Sequence, residues 1–144
     1  MTHEDAGNYT GKRKGISLNN EIAQKIKEKA ADNRISCADA HGIAVKLKVT
    51  PWEIGCAVDL LEIKINKCQL GLFGYKNKTS IPDSPSEIEP ELEREIREAV
   101  YNDRIKCSAA WDIAKKFKMP KKEITAICES LKLKIGECQL GAFK

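Results

Sequence analysis

Ile43-Ala44-Val45-Lys46-Leu47-Lys48-Val49-Thr50-Pro51-Trp52-Glu53-Ile54 reads as the end of one helix, a turn and the start of another. Ala40, Ile43, Ala44 and Leu47 fall on one helical face, as the 3.6-residue period requires. Thr50-Pro51 then interrupts the period, because proline cannot continue a helix from before it and pushes the preceding residue toward extended backbone. Ile54, Ala57, Val58 and Leu61 restore the helical spacing in a second segment. The same pattern returns 70 positions later as Ala110, Ile113, Ala114 and Phe117, the break Met119-Pro120, and Ile124, Ile127, Cys128 and Leu131.

Working outward at this offset, Arg34-Ile35-x-Cys37 matches Arg104-Ile105-x-Cys107, and Cys68-Gln69-Leu70-Gly71-x-Phe73 matches Cys138-Gln139-Leu140-Gly141-x-Phe143. Such gapless agreement indicates duplication of a whole folding unit. Upstream, Ile22, Ile26 and Ala30, and again Leu92, Ile96 and Val100, place one apolar face on a first helix. Asn33 and Asp103 mark its end, and short extended pieces at Arg34 to Ser36 and Arg104 to Lys106 follow. Downstream, Ile63-Lys64-Ile65 and Leu133-Lys134-Ile135 alternate with the period of a strand. Gly71 and Gly74, or Gly141 in the second copy, predict a turn and a returning strand around Phe73 or Phe143. The expected organisation is a flexible tail over 1–16, a first copy over 17–75, a solvated linker over 76–86 and a second copy over 87–144. Ser86 and Glu89 are expected to form a capping box, with Pro90 in the first helical turn.

Helix, short strand, helix, turn, helix, hairpin is an order that resembles the winged helix-turn-helix superfamily. The quoted stretch carries the resemblance: small Ala44 inside the second helix, Val49 in the turn and Ile54 ten positions after the alanine, repeated as Ala114, Met119 and Ile124. Lys48 and Lys118 stand where the family commonly has glycine. The resemblance implies a mainly α fold with short β-hairpins, built as two tandem winged helix-turn-helix domains. It also implies that the third helix of each copy is a recognition helix facing the DNA major groove.

Composition sets the limits around this reading. The chain has 144 residues, 42% hydrophobic and 32% charged, with a net charge of +4 from 25 basic and 21 acidic residues. No apolar run approaches the ~18 residues that cross a bilayer, and residues 1–15 lack the apolar stretch of a signal peptide. A cytoplasmic protein without membrane partners is expected. None of the six cysteines forms a C-x-x-C pair, so no zinc site is expected. His3 falls in the tail, His41 stands alone on the second helix, and no phosphate-cradling loop or nucleophile signature occurs. No cofactor and no enzyme activity are expected.

The outward positions of the third helix differ between the copies. In the first they are Trp52, Gly55, Cys56, Asp59 and Glu62, which offer no Arg, Lys, Asn or Gln to a base edge and carry two charges that repel phosphate. In the second they are Lys122, Thr125, Ala126, Glu129 and Lys132. Charge follows the same asymmetry: Glu87 to Glu98 carries −4 and Ala99 to Lys144 carries +5. Double-stranded DNA is therefore the expected partner, through phosphate contacts from Lys115, Lys116, Lys118, Lys121 and Lys122 and a base contact from Thr125. The bland alternative for these lysines is a solvated helix face. A transcriptional regulator fits, with the first copy serving orientation or dimerisation. The competing reading is a protein-interaction adaptor or homodimer, with Trp52 and Trp111 as interface anchors between the units or with a partner. Cys37 with Cys68, and Cys107 with Cys138, lie where a winged helix can bring them together. They read as buried apolar residues or as a thiol redox switch.

Overall fold

Asn19, Ser36 and Thr50 open the three helices of the first copy, each accepting a hydrogen bond from a backbone N–H of the following turn. In the computed structural model, which describes residue 13 and residues 15–77 and 79–143, these helices are α1 (Asn20–Lys29), α2 (Cys37–Leu47) and α3 (Pro51–Leu60). Thr50 and Glu53 form a reciprocal capping box, with Pro51 in the first turn. Their counterparts are α4 (Pro90–Glu98), α5 (Cys107–Lys116) and α6 (Lys121–Ser130). The second copy opens these helices on Glu89, Lys106 and Pro120, none of which makes a side-chain cap. The capping box expected from Ser86 and Glu89 is therefore absent: the helix begins at Pro90, with Glu89 itself at the cap position.

Four short strands complete the described residues: β1 (Arg34–Ser36) and β2 (Lys64–Asn66), then β3 (Arg104–Lys106) and β4 (Lys134–Gly136). They pair as two separate parallel ribbons, with Ile35 opposite Ile65 and Ile105 opposite Ile135. The expected antiparallel hairpins are not formed. Strands of one ribbon are joined through α2 and α3, or α5 and α6, and a crossover of that length suits parallel pairing. The segment after β2 doubles back without becoming a strand: the Lys67 N–H donates to the Gly74 carbonyl at 3.1 Å and the Cys68 N–H to the Phe73 carbonyl at 3.1 Å. The Gly71 N–H closes the bend on the Cys68 carbonyl at 2.9 Å. Gly71 and Gly141 take φ of +79° and +76° there, a region open to glycine without steric cost.

The duplication extends to the backbone. Lys48 and Lys118, Glu62 and Lys132, and Lys67 and Glu137 all have positive φ at matching positions. For Lys48 and Lys118 the values are 58° and 53°, so the tight turn keeps its left-handed residue although no glycine occupies it.

One hydrophobic cluster runs through both copies, from Ile22 and Ile26 through Ile54 and Val58 to Ile96, Ile105 and Ile124. The copies are thus not separate globules on a linker. They meet about a pseudo-two-fold axis. His41 stacks on Trp111 at 4.2 Å between ring centroids, and Phe73 meets Phe143 edge-on at 6.2 Å. Both contacts join a residue to its own counterpart 70 positions on, and such self-paired contacts lie on the axis of an isologous interface. Among the described residues no helix is long and apolar enough to cross a membrane.

Candidate nucleic-acid interface

The stretch of lysines at the second turn divides into two groups. Lys115, Lys116 and Lys118 are exposed at the end of α5 and in the turn after it. Lys116 forms an ion pair with Glu95 of α4. Their counterparts in the first copy include Lys46 and Lys48, also exposed. No ion pair is recorded for Lys46, Lys48, Lys115 or Lys118 among the described residues. The exposed acids of the same helices, Asp39 and Asp112, sit nearer the helix N-termini than these lysines do.

Lys121 and Lys122 are half-buried at the start of α6. The Lys121 ammonium lies 4.6 Å from the Trp111 ring centroid, a cation–π contact. Lys122 lies 4.5 Å from the Tyr75 ring centroid and donates to the Ser80 hydroxyl at 3.0 Å. Ser80 is itself held, because its N–H donates to the Gly71 carbonyl at 2.7 Å. The segment expected to be a solvated linker thus packs on the second copy at Ser80, while Pro82 and Pro85 stay exposed.

Thr125 does not reach the surface. It is 1% exposed, and its hydroxyl donates to the Leu70 carbonyl of the first copy at 2.8 Å. A base contact from this residue is excluded by burial. Gly55, Cys56, Asp59 and Ala126, also assigned outward, are buried as well, whereas Trp52, Glu129 and Lys132 are exposed. Each third helix turns the middle of the supposed recognition face to the other copy, Gly55 to Leu140 and Thr125 to Leu70. The sequence signal is the continuous nonpolar run Ile54-Gly55-Cys56-Ala57-Val58, since a helix apolar on every side is an interior helix.

At Gly55 the approach is closest: an added Cβ would stand 1.7 Å from the Leu140 carbonyl oxygen. Glycine leaves no side chain there to bond that carbonyl as Thr125 bonds Leu70. Arg13 does so instead, donating from its guanidinium to Leu140 at 3.0 Å and, through Nε, to the Asp59 carboxylate at 2.8 Å. Arg13 belongs to the tail expected to be flexible, yet it is only 7% exposed. The rest of residues 1–12, including His3, and residue 14 lie outside the described residues.

The two tryptophans separate in role. Trp111 is half-buried on the axis against His41, and so joins the copies. Trp52 is 48% exposed, with the Arg13 guanidinium 5.3 Å from its ring centroid. His41, which the sequence leaves alone on the second helix, is half-buried, and burial and the neighbouring Lys121 charge lower its pKa to about 4.

All six cysteines are free thiols. Burial raises the pKa of Cys37, Cys56 and Cys68, and pushes Cys107 and Cys128 up to about 11. Cys37 and Cys107 start helices, a position that favours thiolate. Burial outweighs that effect here, and at neutral pH these groups are neutral thiols. The Gln139 amide donates to the Cys107 sulfur at 3.6 Å. Among the described residues no three His, Cys, Asp or Glu side chains are placed to hold one metal ion.

No protein family, curated protein or solved structure matches the chain.

Proposed function

We propose that this chain is a cytoplasmic DNA-binding protein built from two tandem helix-turn-helix units, acting in transcription regulation through contacts to the phosphate backbone. The observation that carries this reading is the exposure of Lys115 and Lys118 at one turn and of Lys46 and Lys48 at the equivalent turn. Both turns follow helices whose middles meet at His41 and Trp111. At a rise of ~1.5 Å per residue, Lys115 and Lys46 lie only ~6 to 8 Å along the helices from that junction, with Lys118 and Lys48 in the turns just beyond. Such clustering of ammonium groups suits a polyanion and predicts binding that weakens steeply with salt. The intrachain two-fold supplies the symmetry that a homodimer would otherwise provide.

A salt-titrated mobility shift on mixed duplex DNA tests the reading. Lys115→Glu/Lys118→Glu is expected to weaken binding by about tenfold or more. Absence of a shifted band at low salt, or binding indifferent to that change, rules it out.

A second reading, a protein-interaction adaptor, is favoured by the exposed Trp52, which shares a cleft with the 37% exposed Ile16. That cleft, of about 300 Å³, is lined by Ile16, Ile22, Trp52 and Cys56. Exposed tryptophans are frequent anchors in protein contacts. Loss of a copurifying protein partner on Trp52→Ala, with DNA affinity unchanged, would favour this second reading.

A further inference from the structure

We infer that the DNA bound by this chain is read without regard to sequence, by phosphate contacts from both copies at once. The inference rests on the DNA reading above and concerns how the same surface works.

Sequence is read where side chains reach base edges, whereas phosphate contacts only position the protein. The third helices have little left to offer a base. Gly55 lies against the Leu140 carbonyl, and Thr125 is buried on Leu70. At the helix starts, Trp52 and Glu53 carry none of the Arg, Lys, Asn or Gln groups that read guanine or adenine through two bonds, and Lys122 is held by Tyr75 and Ser80. Lys132 is exposed but lies beyond the C-terminus of α6, away from the N-terminal end with which a recognition helix reads bases, and the lysines at the two turns are left to contact phosphate.

The pseudo-two-fold decides how those lysines are displayed. Points related by a two-fold rotation have the same height along its axis, so Lys46 with Lys116, and Lys48 with Lys118, are level with each other. The half-buried His41 and Trp111 mark the axis close to the surface. A duplex backbone carries its own local two-fold axes, and two-fold proteins bind DNA with the axes aligned. The first copy therefore contributes to binding alongside the second, although its third helix has no basic residue.

The test is fluorescence anisotropy of the full chain with two labelled duplexes of equal length and unrelated sequence, each titrated with salt. The two affinities are expected to agree within about threefold. Lys46→Gln/Lys48→Gln and Lys115→Gln/Lys118→Gln are each expected to reduce the slope of log affinity against log salt by about 2. Circular dichroism melting establishes that both variants are folded. A preference of tenfold or more for one duplex overturns sequence independence while leaving DNA binding in place. A slope unchanged by the first-copy pair overturns the shared surface. Failure of both duplexes to bind at low salt removes the underlying DNA reading itself.

Discussion

The Thr125 hydroxyl donates to the Leu70 carbonyl across the junction at 2.8 Å, and at the matching place Gly55 lets the Leu140 carbonyl occupy the position a side chain would need. The same interface is thus solved twice with different chemistry. In one half a side chain of the helix satisfies the carbonyl. In the other the helix backbone comes directly against the carbonyl segment and Arg13 arrives from outside the duplicated unit.

Replacing Thr125 by valine keeps the shape but removes the donor. A buried carbonyl without its partner costs about 1–3 kcal/mol. Urea denaturation is expected to show a loss in that range, and a neutral result would mean that the hydrogen bond contributes nothing net.

Gly55→Ala places a methyl group against backbone that cannot swing aside, because the contact is with the Leu140 carbonyl itself. Overpacking of this kind costs about 1–3 kcal/mol and sometimes more, which exceeds the gain of about 1 kcal/mol from replacing a helical glycine. A lower midpoint of unfolding is expected. An increase would show that the junction yields easily.

Arg13→Ala removes a guanidinium that bonds Asp59 at 2.8 Å with both side chains nearly buried. Breaking one side of a buried ion pair costs about 3–5 kcal/mol. Asp59→Asn in the Arg13→Ala background is expected to recover part of the loss. Strict additivity of the two changes in a double-mutant cycle would refute the coupling.

Lys106→Ser transfers the cap of the first copy to the second. Ser36 caps α2 through the Asp39 N–H at 3.0 Å, and Lys106 has nearly the same extended backbone, φ −69° and ψ 145°. A cap contributes about 1 kcal/mol, and the exposed Lys106 to Glu137 ion pair that would be lost contributes little. The variant is expected to be more stable by thermal melting.

His41 makes stability depend on pH. Its folded pKa, about 4, lies below the ordinary value of 6.5, so between these values the unfolded chain binds more protons than the folded one. Stability from this group is present above about pH 6.5 and declines as pH falls toward 4. Denaturant midpoints at pH 7 and pH 5 are expected to differ less in His41→Phe than in the parent, and an identical difference would exclude His41 as the cause.

Local features were legible from residue order. The faces of α1 and α4, the strands β1 and β3, the turn at Lys48 and Lys118 and the duplication all follow from periodicity, proline placement and matching residues within a few positions. These properties depend on neighbours along the chain, and sequence order determines neighbours. The assignment of Thr125, Gly55, Cys56, Asp59 and Ala126 to solvent rested on one apolar face per helix, and a second covered face depends on what arrives from elsewhere. Thr125 meets Leu70 across 55 positions, and Arg13 meets Leu140 across 127. The sequence by itself determined two copies of one helical unit. Only the tertiary structure decided that each third helix packs against the bend that follows the last strand of the other copy and that an arginine seals the gap, because burial is a property of the packed pair and neither copy specifies it alone.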